Sequence, residues 1–192
     1  MRIILQYIVP AIFLLIPVRQ YKGEYFYYFL FTGLDDTVTS FIVRNFLNND
    51  SNSFYISFGL LTLLYLISKE KFKKYIFLYG AIFIVVSIID WNELLPVYDI
   101  YLTAVIHLII FILLFQRLIV GYILDRKFSL FLFLIIFCEL TTISKFITII
   151  SGVSDSYVFF YTTTVVESLI GLIFIVFRED DPWFIFNINK TE

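Results

Sequence analysis

The chain has 192 residues, of which 60% are hydrophobic and 21% aromatic, with 24 Phe and 14 Tyr against 7 Gly and 4 Pro. Soluble domains average about 45–50% apolar residues, so this composition excludes an ordinary soluble globule and a disordered chain alike, and 14 basic against 16 acidic residues leave no excess of positive charge for nucleic acid. The single cysteine, Cys138, excludes an internal disulfide and any multi-cysteine metal site, and the single histidine, His107, excludes sites built from several imidazoles.

A helix needs about 20 apolar residues to cross the hydrocarbon core of a bilayer. In chain order the candidates are 3–18, 25–47, 53–68, 75–90, 98–118, 128–150 and 157–177. The first, inside MRIILQYIVPAIFLLIPVRQ, has one basic residue before its apolar run and no small-residue cleavage pattern after it, so it reads as a retained span rather than a signal peptide. The first, third and fourth are 16 residues long, and neighbouring Tyr and Trp must extend them through the interface. Every connection is brief. The expected fold is all-α: one seven-helix transmembrane domain over residues 1–178 and a short tail over 179–192.

The positions of the charges predict an orientation. One set of alternate connections, with the tail, carries Arg19, Lys22, the four lysines of KEKFKK (69–74), Arg117, Arg126, Lys127, Arg178 and Lys190, eleven basic residues in all. The other set, LNNDSN (47–52), DWNELLPVYD (90–99) and SGVSDSY (151–157), has none, and Arg2 alone joins that side. Basic residues mark the cytoplasmic face, so the N-terminus is expected outside and the C-terminus inside.

Within the spans, ionisable residues stand out. Asp35 and Asp36 fall near the middle of the second span, His107 of the fifth, Glu139 of the sixth and Glu167 of the seventh. A charge at the bilayer centre costs at least about 2.5–3.5 kcal/mol on insertion scales and normally faces the bundle interior or a wet cavity. One shared ligand- or ion-binding site is therefore predicted from Asp35, Asp36, His107, Glu139 and Glu167. Asp99 and Thr103 precede His107 at intervals of four along one helix face. Thr142, Thr163 and Thr164 join the outer halves of the later spans, whereas the inner halves read FLFLIIF and LIGLIFIVF. The expectation is a hollow open to the outside and closed toward the cytoplasm. Arg44 and Lys145 lie on its outer side, either paired with acids across helices or forming a cationic collar. Structural readings stand beside these: an Asp bound to Arg44 or Lys145 as glue, and threonine hydroxyls satisfied on the preceding helical turn. Gly171 is expected to permit close helix packing.

Motif matches are partial. TGLDD shares a glycine and an aspartate with the Gly-x-Gly-Asp signature of intramembrane aspartyl proteases, but Leu34 replaces the second glycine. The Tyr98-Asp99 dipeptide that would complete the pair comes in the wrong order. Retinal proteins carry their lysine on the last helix, where this chain has none. DDTVTS (35–40) and ELTTIS (139–144) share acid-x-Thr-x-x-Ser, a weak sign of duplicated halves. His107 could complete a mixed His–carboxylate metal site with Asp35, Asp36, Glu139 and Glu167, but a histidine hydrogen-bonded to a carboxylate is the commoner arrangement, and no metal or cofactor is expected.

In architecture, in Phe- and Ile-rich composition and in the polar-to-Tyr pattern of its second and third spans, the chain resembles small seven-helix integral membrane proteins of bacteria. That resemblance implies a multi-pass protein of the bacterial inner (cytoplasmic) membrane and carries no functional residue. The expected function is binding or transport of a small polar or cationic solute or protons, or reception of such a ligand. The alternatives are an intramembrane acid–base enzyme acting on lipid or peptide, and a structural subunit whose charges face a membrane protein partner.

Overall fold

The structure, a computed structural model, describes residues 2–38, 55–91, 99–152 and 156–187. The described chain is mostly helical. Its elements are α1 (Arg2–Arg19), α2 (Phe26–Thr37), α3 (Tyr55–Ile67), α4 (Lys69–Lys74), α5 (Ile76–Trp91), α6 (Asp99–Ile123), β1 (Lys127–Ser129), α7 (Leu130–Ile150), α8 (Ser156–Val176), a 3₁₀ turn (Pro182–Phe184) and β2 (Ile185–Asn187). Three helices, over Ile100–Ile123, Leu130–Ile150 and Val158–Val176, are long and apolar enough to cross a membrane, while the apolar helices at Ile8–Arg19, Tyr55–Ile67 and Ile76–Val85 are shorter. Their outward faces are apolar: Val105, Ile109 and Ile112 on α6, Phe133 and Leu140 on α7, and Leu169 and Leu172 on α8 are all exposed. Water does not tolerate such a belt, but acyl chains solvate it.

The helices pack in a closed cycle. α1 packs on α2, α2 on α3, α3 on α6, α6 on α7, α7 on α8, and α8 returns to α1; α5 lies outside this ring against α3. Lipid-facing helices gain no hydrophobic drive from meeting one another, so close backbone approach matters more. α1 achieves it twice. A Cβ added at Gly33 of α2 would collide with the Phe13 carbonyl oxygen, and one at Gly171 of α8 would lie 2.6 Å from Ile12 Cγ2. Gly33→Ala must push α1 and α2 apart, because the obstruction at Gly33 is backbone rather than a movable side chain. Overpacking of this kind costs about 1–3 kcal/mol, so thermal unfolding in detergent should start earlier in Gly33→Ala than in wild type. An unchanged unfolding temperature would contradict the Gly33–Phe13 contact.

Arg19, Arg117, Lys127 and Arg178 share one end of the ring, called here the basic end. The half of the bundle nearest to it is filled by side chains. Phe29, Phe131 and Phe174 are almost fully buried, with ring centroids 4.7 Å apart for Phe131–Phe174, 5.0 Å for Phe29–Phe174 and 6.0 Å for Phe29–Phe131. Offset and edge-on aromatic pairs at such distances attract beyond their burial alone. KEKFKK forms α4, capped by the Ser68 hydroxyl, which accepts from the Lys71 N–H at 3.4 Å. Phe72 inserts among Tyr27, Phe31, Tyr65 and Tyr79, leaving the lysines exposed.

The segment after α8 folds back on the bundle. β2 pairs antiparallel with β1, setting Phe186 opposite Phe128, and Phe184 is buried against Phe131 and Phe177. Trp183 stays exposed. β1 leads directly into α7, whose N-cap Ser129 accepts from the Leu132 N–H at 3.2 Å.

Candidate functional site

All six ring helices contribute to one cavity of about 310 Å³. α7 supplies the longest stripe: Cys138, Glu139, Thr142, Lys145, Phe146 and Ile149. These positions recur every three or four residues and so share one helix face, covering twelve residues or about 16 Å of helix. α2 adds Tyr28, Thr32 and Asp35, α6 adds His107, and α8 adds Phe160 and Glu167. The cavity runs from Tyr28 and Glu139 at mid-bundle toward Tyr55, Phe160 and Ile149, away from the basic end.

Two carboxylates organise its polar groups. Glu139 is 3% exposed. Its Oε1 accepts from the Tyr28 hydroxyl at 2.7 Å, and its Oε2 lies 2.8 Å from His107 Nδ1. One carboxylate thus ties α7 to α2 and α6. The imidazole is also held by stacking on Phe146, with centroids 5.6 Å apart. Glu167 is 7% exposed. Its Oε1 accepts from the Thr141 hydroxyl at 2.6 Å, and its Oε2 pairs with Lys145 Nζ. This second unit ties α8 to α7. Charges removed from water persist only when paired and hydrogen-bonded, and both acids meet that condition. Asp35 is buried on the cavity wall, one helical turn beyond Thr32.

Of the residues singled out in the sequence, Asp35, His107, Glu139, Thr142, Lys145 and Glu167 line this cavity. Lys145 adopts the cross-helix pairing rather than standing alone as a collar. Thr103 is buried on α6 but does not line the cavity. Thr163 donates to the carbonyls of Phe159 and Phe160 at 2.9 and 3.1 Å, within its own helix, and Thr164 is half-buried away from the lining. Arg44, and the side chains of Asp36 and Asp99, lie outside the described residues.

The sequence reading passed over Tyr28 and Tyr55. Tyr28 had a signal: Tyr28, Thr32 and Asp35 stand at i, i+4 and i+7, one polar stripe on an otherwise apolar helix. Tyr55 had none, being one tyrosine among 14. Thr141 sits beside the cavity-facing Thr142 and turns toward α8 instead.

With every acid ionised and His107 neutral, three carboxylates against one ammonium give the wall a formal charge of −2. Such a wall favours cations and protons over anions. Among the described residues, no three His, Cys, Asp or Glu side chains converge as metal donors. Compared with family models, curated proteins and solved structures, the chain matches none of them.

Proposed function

We propose that the chain is a seven-span integral membrane protein of the bacterial cytoplasmic membrane, with its N-terminus outside, whose ring cavity binds or carries a small polar or cationic solute or protons. The observation that carries this reading is the convergence of Asp35, His107, Glu139, Lys145 and Glu167 on one cavity. Ionisable groups at this depth have little structural use when apolar residues would pack there as well. The eleven-to-one division of basic residues supports the orientation. In it, the cavity lies in the outer half, and the Phe29–Phe131–Phe174 packing closes the inner half. Transport requires that packing to part. A receptor needs only a shift of α8, whose Glu167 faces the cavity and whose C-terminal end reaches the basic side. The inward placement of both glutamates favours these readings over a subunit whose charges face partner helices.

The test is thermal unfolding of the purified protein in detergent at constant ionic strength. Sodium, potassium, ammonium and tetramethylammonium chlorides serve as probes, at about pH 5 and about pH 8. A bound ligand stabilises by about 2.7 kcal/mol at a hundred times its dissociation constant. At least one cation, or the pH change itself, should shift unfolding saturably in wild type. Asp35→Asn and Glu139→Gln should abolish that shift, the latter keeping an acceptor oxygen for Tyr28. If no probe and no pH change shifts wild-type unfolding, the cavity is not a binding site for cations or protons.

A further inference from the structure

At the basic end, a groove of about 530 Å³ opens between α1 and α8, lined by Leu15, Val18, Arg19, Tyr21, Ile175 and Arg178. Its chemistry changes along its length. Leu15, Val18 and Ile175 lie on the helices toward mid-bundle, and Arg19, Tyr21 and Arg178 lie at or beyond the helix ends. Leu15 precedes Arg19 by one turn, a rise of about 6 Å.

Arg19 is held in place. Its Nε and Nη2 both donate to the Val176 carbonyl in the last turn of α8, at 3.2 and 3.1 Å, which leaves Nη1 to donate elsewhere. Arg178 is less satisfied. Its Nε is buried without a hydrogen-bond acceptor, although Asp180 Oδ1 lies 3.2 Å away out of line. The Asp180 side chain is 70% exposed, and an ion pair so exposed is worth little. The other acids of the segment are engaged elsewhere: Glu179 accepts from the Glu24 and Tyr25 N–H groups, and Asp181 accepts from the Arg178 N–H at 2.6 Å. Lys22 Nζ adds a further cation, 5.6 Å from the Tyr21 ring centroid.

We infer that this groove holds one anionic phospholipid, its phosphate between Arg19 and Arg178 and an acyl chain along Leu15, Val18 and Ile175. Guanidinium forks match phosphate oxygens bidentately, and the two guanidinium groups that line the groove supply the complementary charge. The apolar-then-cationic order is that of a phospholipid read from tail to headgroup. The inference rests on the membrane reading proposed above but not on the solute cavity, so the two fail separately.

The experiment adds phosphatidylglycerol, phosphatidylcholine with the same acyl chains, or inorganic phosphate to the full chain in detergent. It follows thermal unfolding and the lipid retained in native mass spectra. Phosphatidylglycerol should raise the unfolding temperature saturably and remain bound, and the other two should not. A basic residue near an anionic headgroup contributes about 1 kcal/mol, so Arg178→Gln should raise the half-maximal phosphatidylglycerol concentration roughly fivefold, and Arg19→Gln/Arg178→Gln by roughly thirtyfold. Equal effects of phosphatidylcholine would overturn the headgroup assignment. A full shift with inorganic phosphate alone would make the groove a free-anion site and sink the lipid. The single variant decides if the double variant does not fold, because among the described residues the Arg178 side chain pairs only with exposed Asp180; an unchanged phosphatidylglycerol response in Arg178→Gln ends the proposal.

Discussion

Glu167→Gln should destabilise the bundle by about 3 kcal/mol, measured as unfolding in detergent. Removing one partner of a buried ion pair typically costs about 3–5 kcal/mol, because the other charge is left without compensation. Here the ammonium would remain in the cavity wall, where the Lys145 side chain is 18% exposed and that of Glu167 is 9% exposed. That residual access to water places the expected cost at the low end of the range. A glutamine still accepts from Thr141, so the lost hydrogen bond is a minor part; interhelical hydrogen bonds in membranes average only about 0.6 kcal/mol. The discriminating measurement is a double-mutant cycle. Lys145→Met/Glu167→Leu removes both charges and should be more stable than the sum of the single changes implies. Additive losses would mean that the two charges are each solvated independently and that their pairing contributes nothing. The same substitutions bear on ligand preference. Lys145→Met takes the formal wall charge from −2 to −3, with every acid ionised and His107 neutral. A cation that binds wild type should bind this variant more tightly, whereas an anion held by Lys145 should be lost.

Much of this cavity was legible because ionisable groups in apolar spans are costly wherever they sit, and only a shared interior relieves several at once. Counting residues from span ends placed Asp35, His107, Glu139 and Glu167 at similar depth, and the ring turns all four to one cavity. Threonine carried much less information. Its hydroxyl can bond a carbonyl one turn back, as Thr163 does to Phe159, so TTT in a span says little about direction. Tyrosine is ambiguous for another reason: Tyr28 and Tyr55 line the cavity, whereas Tyr27 and Tyr65 pack around Phe72. The basic-end architecture was the least legible part. REDDPWFIFN reads as an extended tail, because the partner of its short strand lies near residue 128 and no local periodicity reports a pairing that distant. Gln20 and Glu179 likewise meet across 159 positions.

That meeting sets up the second large effect. Gln20→Leu should cost about 3 kcal/mol and loosen the packing that separates the cavity from the basic end. Gln20 is fully buried. Its Nε2 donates to the carbonyls of Phe174 and Phe177, both at 2.7 Å, and its Oε1 accepts from the Glu179 N–H at 3.3 Å. Leucine fills similar space but leaves two carbonyls and one N–H without that partner, and each buried orphan costs about 1–3 kcal/mol. Partial exposure of the Phe177 site holds the sum below the maximum. Glu179 in turn caps α2 through the Glu24 and Tyr25 N–H groups, where the helix dipole favours a negative charge. The Tyr65 hydroxyl donates to the Glu24 carbonyl, and Arg117 reaches both the Leu66 carbonyl at 2.6 Å and Glu24 at 3.4 Å. These bonds join α1, α2, α3, α6 and the end of α8, so a cavity that empties toward this side must break them. Cys138 supplies a native reporter, being the sole cysteine and part of the cavity wall. In sealed vesicles with the basic end outward, a membrane-impermeant thiol reagent should label Cys138 slowly in wild type and several-fold faster in Glu179→Ala and Gln20→Leu. If both variants are destabilised while labelling keeps its wild-type rate, the Gln20–Glu179 network holds the fold together without gating the cavity. Alternating access would then need a different hinge.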